Sequence, residues 1–213
     1  MTTPAGLTDD KVLLAAAEEF AECGYAAATT RRIAERCGMS TGSLFHRYSS
    51  KRALLVAAVA EGTLQAYSHV SSRLQGHIDP LERFRVLVVA HLETLHGESR
   101  PFSAVASREF HLLDQKERTQ VVRIRDQYEK LWQSILDEAA EAGLVSDDGL
   151  LRLFLLGAVN QTFVWYAPNT GLTIEELGER FVGLLLGGGS LQVAGGLDIK
   201  LQFDHRASTS SQK

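Results

Sequence analysis

The sequence predicts an all-α fold: a three-helix N-terminal head followed by a larger helical body, about nine helices in total. Three observations carry that expectation. The composition is rich in Ala, Leu, Glu and Arg with only four prolines. Apolar residues recur at helical spacing, and no segment before residue 190 alternates as a strand would. Two short helical patterns sit side by side, joined by Gly38-Met39-Ser40.

The first helix is expected from Thr8 to about Cys23. Thr8 suits an N-cap, Asp9 and Asp10 suit a first turn, Gly24 is a stop, and Leu13, Ala16, Ala17 and Phe20 form the apolar stripe. The two short helices span about Arg31–Cys37 and Thr41–Tyr48. A long fourth helix from about Lys51 carries Leu55, Val59, Ala66, Val70 and Leu74 on one side and ends near Gly76. Pro80–Gly97 shows Phe84, Leu87, Val88, His91, Leu92 and Leu95 at helical spacing, and a short segment follows Arg100-Pro101 to about Leu113. Asp114–Ala142 bears a stripe of Val121, Ile124, Tyr128, Leu131, Trp132, Ile135 and Ala139, stopped by Gly143. Asp147–Ala167 and Thr173–Leu186 are the last two helices, separated by the breaker Pro168-Asn169-Thr170-Gly171. Three divisions follow: 1–52, 53–189 and a flexible tail, 190–213.

The totals exclude several classes. In 213 residues, 45% hydrophobic, no apolar run approaches the roughly 20 residues that span a bilayer. The N-terminus lacks the basic-then-apolar order of a signal peptide, and Cys23 and Cys37 are too few for a disulfide framework. A reducing, cytoplasmic setting without membrane contact is the expectation. There are no paired carboxylates near a His, no Gly-rich phosphate loop and no nucleophile motif; Gly187-Gly188-Gly189 follows a helix instead of opening one. His77, His91, His96 and His111 include no i,i+4 pair. Neither an enzyme, a metal site nor a cofactor is expected.

The formal net charge is -4, yet residues 29–52 hold six cations, Arg31, Arg32, Arg36, Arg47, Lys51 and Arg52, against one acid, Glu35. Only this patch attracts a polyanion. Two helices joined by a tight Gly-containing turn, the second opened by Ser40, fit a helix-turn-helix, with Ile33, Ala34, Leu44 and Phe45 as its buried side. In that motif the second helix enters the major groove of DNA and presents its early residues to base edges. Here those are Thr41, Gly42 and Ser43, small enough for close backbone approach. Cations in a helix's first turn lose about 0.3–1 kcal/mol each to the macrodipole. Arg31-Arg32 after Thr30, and Lys51-Arg52 after Ser50, therefore look costly alone and favourable once a phosphate docks on the free N–H groups.

Gly24-Tyr25, Thr30, Ile33-Ala34, Gly38-Met39-Ser40, Gly42, Leu44-Phe45, Arg47-Tyr48 and Lys51, in that register, resemble the N-terminal signature of the tetracycline-repressor (TetR) family of bacterial transcriptional regulators. The resemblance implies a DNA-binding head in 1–52, a linking fourth helix and a regulatory, dimerising body in 53–189. It makes Thr30 a phosphate-contacting cap of the second helix, Thr41 and Ser43 base-facing residues, and Lys51 a phosphate-binding lysine. Phe45 and Arg47 fall where the family usually has backbone-contacting Tyr and His or Tyr, so a phenol hydroxyl is missing and Arg47 offers a charge-assisted contact instead. Arg31, Arg32, Ser40, Gly42, His46 and Tyr48 complete the candidate interface, with Tyr48 mainly core.

The hairpin of the last two helices is the expected homodimer surface. Leu151, Phe154, Leu155, Ala158 and Thr162 line one face of its first helix, while Leu153, Leu156, Asn160 and Phe163 line another. Ile174, Leu177, Phe181, Leu184 and Leu185 add the second helix, and two hairpins would form a four-helix bundle. The resemblance also implies a small-molecule effector pocket. Candidates are His91, Phe110, Tyr128, Trp132, Asn160, Phe163, Trp165 and Tyr166, each weighed against an ordinary place in the core. Asn160 stands out: an amide on an apolar helix needs a partner across the dimer, in its own backbone or in a ligand. The segment 157–166 with Pro168 and Gly171 resembles regulators that answer to acyl-CoA thioesters, although Ala167 and Asn169 stand where those often carry Arg. An uncharged lipophilic effector is the other form. The competing classes are a helical small-molecule-binding protein or enzyme whose basic patch reads no DNA sequence, and a sequence-indifferent architectural binder.

Overall fold

The computed structural model describes residues 5–167 and 171–186, with side-chain surroundings from residue 11 onward. Among these residues there are helices and no strand. The head comprises α1 (Ala5–Ala27), α2 (Thr30–Arg36) and α3 (Thr41–Arg47). The linking helix is α4 (Lys51–Arg73), followed by α5 (Pro80–His96), α6 (Arg100–Arg108) and a 3-10 turn at Phe110–Leu112. The chain continues through α7 (Gln115–Glu141), α8 (Leu151–Asn160), α9 (Thr162–Trp165) and α10 (Ile174–Leu185). The breaker residues Pro168, Asn169 and Thr170, Gly187-Gly188-Gly189 and the 190–213 tail lie outside the described residues.

Local chemistry sets most boundaries. Ser40, Ser50, Asp79, Asp114 and Thr173 each accept the N–H three residues on, and Asp114/Glu117 and Thr173/Glu176 form full capping boxes. Gly38, at φ 67, lets Met39 N–H reach the carbonyl of Ala34 at 3.0 Å and closes α2. Three expectations are corrected. Helix α1 begins before Thr8, which lies inside it, and continues past Gly24, whose φ of 76° and ψ of 160° place a kink there. The cap of α2 is Thr29, not Thr30: its hydroxyl accepts from Arg32 N–H at 3.3 Å. The helix expected over 147–167 begins only at Leu151, because Asp148 ties down the N–H of Leu150 in a turn, and it breaks at Gln161. There Thr162 Oγ1 donates to the carbonyl of Val159 at 2.6 Å and Val164 N–H turns to Gln161, a local bonding that competes with the i→i−4 ladder.

Two apolar clusters organise the packing. One joins Phe20, Ile33, Ala34 and Leu44 of the head to Leu54, Leu55 and Val59 at the start of α4, and to Phe102, Val105, Leu113 and Val121 of the body. The other gathers Val70 and Leu74 of α4, Phe84 to Leu95 of α5, Trp132 and Ile135 of α7, Leu155, Leu177 and Val182. Helix α4 thus runs from one core into the other, and α6 packs along it.

Candidate nucleic-acid interface and ligand cavity

Leu44 is fully buried and anchors α3 against α1 and α2, which turns the other side of that helix outward. Gly42, Ser43, Phe45, His46 and Arg47 are exposed and Thr41 half-exposed. Phe45, expected in the buried side, is 44% exposed, because one seven-residue helix resting on a single Leu cannot bury two neighbouring positions at once. Ser40 Oγ accepts from Ser43 N–H and lies 2.9 Å from Ser43 Oγ, so the first turn is held rigid. Tyr48 packs half-buried on the head core.

The cations are not the vacant collars that the sequence suggests. Glu19, wholly buried on α1, takes Arg32 at 3.1 Å and Arg36 at 3.2 Å, and Arg36 also meets Glu18 and Glu22. Arg31 pairs with Glu35 on the surface at 2.9 Å. Lys51 Nζ donates to the carbonyls of Ala28 at 2.6 Å and Ala26 at 3.4 Å, and lies 4.4 Å from the Tyr25 ring. At the start of α4 it therefore meets the negative end of α1, which offsets its own helix's dipole. Arg52 grips Glu117 Oε1 at 2.6 Å and the carbonyl of Leu112 at 2.5 Å, and this ion pair holds the Glu117 carboxyl below its usual pKa. Tyr25 N–H bonds Glu109 at 3.3 Å, a second bolt between head and body.

In the body, α4, α5, α6, α7 and α8 line a partly open cavity of about 240 Å³. His91, Phe110, Tyr128 and Asn160 of the candidate list line it; Trp132, Phe163, Trp165 and Tyr166 do not. His91 Nδ1 lies 2.6 Å from Tyr128 Oη and Nε2 lies 3.0 Å from Asn160 Oδ1. Burial lowers the His91 pKa to about 4, so the ring is neutral at physiological pH, and burial raises that of the Tyr128 phenol. Asn160 Oδ1 thus finds its partner on another helix of the same chain. Arg125, bonded to Glu129 at 2.9 Å and 4.1 Å above the Phe110 ring, stands at one side. Gly62 lines the cavity where α4 crosses α6: a Cβ there would stand 2.8 Å from the carbonyl carbon of Phe102. Trp132 is fully buried behind the site, edge-on to the His91 ring at 5.2 Å. Phe163 and Tyr166 instead pack around His96, whose Nε2 lies 2.8 Å from Thr162 Oγ1, and Trp165 stands edge-on to Tyr166.

A family model for bacterial regulatory proteins of the tetR family matches residues 12–58, and one for the tetracyclin repressor-like C-terminal domain matches residues 77–188. The second alone spans half of the chain. The chain belongs to the tetracycline-repressor family. The transcriptional repressor KstR2 of Mycobacterium tuberculosis is 27% identical over 182 residues, covering 84% of this chain and 90% of KstR2. The superantigen PfiT is 30% identical, with a TM-score of 0.71 over 86% of this chain and 98% of its own. AibR, solved with isovaleryl coenzyme A and operator DNA, shares the fold with a TM-score of 0.76 at 23% identity, over 84% and 98% of the two chains.

Within this TetR-family fold, sequence reasoning passed over Glu19, Gly62, His96 and Ser103. Glu19 sits at a helical spacing that points it at α2, a signal visible only once α2 is placed. Ser103 and Gly62 are small residues in apolar surroundings, which sequence alone does not distinguish from filler. No helix among the described residues is long and apolar enough to cross a membrane, and no described group of three His, Cys, Asp or Glu could hold a metal.

Proposed function

We propose that this TetR-family regulator represses transcription as a homodimer on a palindromic operator and leaves it when a small effector enters the cavity. The exposed first turn of α3 carries this reading: Thr41, Gly42 and Ser43 face outward on a helix fixed by Leu44 and the Ser40 cap. Thr41 and Ser43 read base edges, while Thr30, Phe45, His46, Arg47 and Lys51 contact the backbone. Arg31, paired with the exposed i,i+4 carboxylate of Glu35 in a contact worth about 0.3–0.5 kcal/mol, changes partner easily for a phosphate. Arg32 serves Glu19 first.

The head, 1–52, is paired by the body, 53–189. Leu150, Leu153, Phe154, Val164 and Leu184 are each more than half exposed around α8, α9 and α10, an apolar surface suited to a second copy. Half-sites then lie about 34–36 Å apart. The cavity, at about 240 Å³, falls below the roughly 300–1,000 Å³ of drug-sized sites, so it takes a small apolar effector or the acyl part of a thioester. AibR's complex with an acyl-CoA supports the thioester form. Effector binding favours a state in which α4 reorients the heads, with a coupling of about 1–3 kcal/mol. No turnover of the effector is part of this reading.

Selection of bound duplexes from a random pool, with and without acyl-CoA compounds, tests it. A near-palindromic site, depleted by one of those compounds, is expected; indifference to every duplex at low salt would end the proposal. Lys51→Ala should weaken binding to all sequences and lower the salt slope by about one unit. Thr41→Ala should instead change which operator variants are tolerated, and uniform loss in both would refute the base-reading role of Thr41.

A further inference from the structure

The cavity wall carries a surplus of hydrogen-bond donors. Oδ1 of Asn160 can only accept, so His91 Nε2 carries the ring proton and donates to it. Nδ1 of the neutral ring then accepts the Tyr128 O–H. The amide N–H groups of Asn160, a half-buried side chain, donate to no described residue. Ser103, 4% exposed and also lining the cavity, has a buried Oγ with no hydrogen-bond partner. A buried hydroxyl left unmatched costs about 1–3 kcal/mol, and native folds rarely keep one without a use.

The donors of Ser103 and Asn160, in a space lined also by Ala66, Leu95 and Leu156 and whose carboxylate, Glu129, is taken by Arg125 and Arg152, call for an oxygen that accepts. The charge of that oxygen follows from the same wall. His91 is neutral, and the nearest cation, Arg125, is already held by Glu129. A carboxylate would be desolvated beside the Glu129 carboxylate of the same wall, facing a cation already committed to that group, whereas a carbonyl loses far less on leaving water. Resting on the assignment of this cavity as the effector site, we infer that it selects an uncharged carbonyl oxygen, in a ketone, ester or thioester, on an otherwise apolar skeleton, held by Ser103 and Asn160.

Titration calorimetry on the full chain tests this with 2-octanone, its isostere 2-methyl-1-octene, octanoate and octanoyl-CoA. The ketone should bind about tenfold or more tighter than the alkene and octanoate, the scale of one hydrogen bond to a buried donor. Ser103→Ala and Asn160→Leu should each narrow the ratio of ketone to alkene affinity. The Ser103→Ala melting temperature should match or exceed the parent's, since an unmatched hydroxyl is removed; a structural role would lower it. Octanoyl-CoA binding at least as tightly as the ketone identifies a thioester as the source, and weaker binding assigns a free ketone or ester; both uphold the carbonyl. Equal binding of ketone and alkene, tighter octanoate, or no binding of any probe overturns the inference. Duplex binding measured on the same samples separates the two claims: a chain that prefers the ketone but ignores DNA sinks the regulator reading and leaves this one standing.

Discussion

Head and body treat their polar groups in opposite ways. The head satisfies its charges before any partner arrives: Glu19 takes Arg32 and Arg36, Lys51 closes on the end of α1, and Arg52 on Glu117. What it offers outward is a small, stiff surface. The body does the reverse, holding a His-Tyr-Asn chain and then leaving the buried Ser103 hydroxyl unmatched beside a cavity. A rigid reader suits a fixed target, and an incomplete interior suits a ligand that changes the balance between two packings. Helix α4 touches both, through Lys51 and Arg52 at one end and Gly62 and Ala66 at the cavity.

The contrast can be broken experimentally, the largest effect first. Trp132→Ala should destabilise the body by about 3–5 kcal/mol in chemical denaturation, because the indole is wholly buried. A Trp132 that served only the effector pocket would instead blunt induction and leave operator binding intact, and near-parent stability would restore that role. Acidification should act next. The folded His91 pKa of about 4 lies below the unfolded 6.5, so the unfolded chain binds more protons between those values. Stability should therefore fall from pH 6.5 towards 4, by up to about 3 kcal/mol from this group, and His91→Gln should flatten that slope. Gly62→Ala should cost about 1–3 kcal/mol, since the new methyl meets the Phe102 carbonyl and forces α4 and α6 apart. It should also alter effector response more than Ala66→Gly does; identical responses would separate the α4–α6 contact from the switch. Glu19→Gln should cost about 1–2 kcal/mol, and by freeing Arg32 and Arg36 should steepen the salt dependence of DNA binding. An unchanged slope would mean that the pair already turns to DNA in the complex.

Much of this was legible before any coordinates. The helix-turn-helix was announced by Gly38, Ser40 and the small residues after it, since turn and cap chemistry act over three or four residues. The buried stripes of α4, α5 and α7 follow from spacing, and so does the burial of His91. Helix starts were less secure where two hydroxyl residues adjoin: Thr29 and Thr30 compete for the cap, and only backbone geometry chooses. The kink at Gly24 rests on a positive φ that glycine tolerates, and the break at Gln161 on local bonds that compete with the helical ladder.

What the sequence determined by itself was which segments are helical, which faces they bury and where a positive surface must lie, because periodicity, capping and composition are local quantities. The tertiary structure alone decided who satisfies whom. Glu19 and Arg36, His91 and Asn160, Arg52 and Glu117 are 17, 69 and 65 residues apart, and no rule of spacing brings such pairs together. Charge neutralisation, an orphaned hydroxyl and a cavity are properties of packed neighbours, and neighbours exist only once the helices have docked.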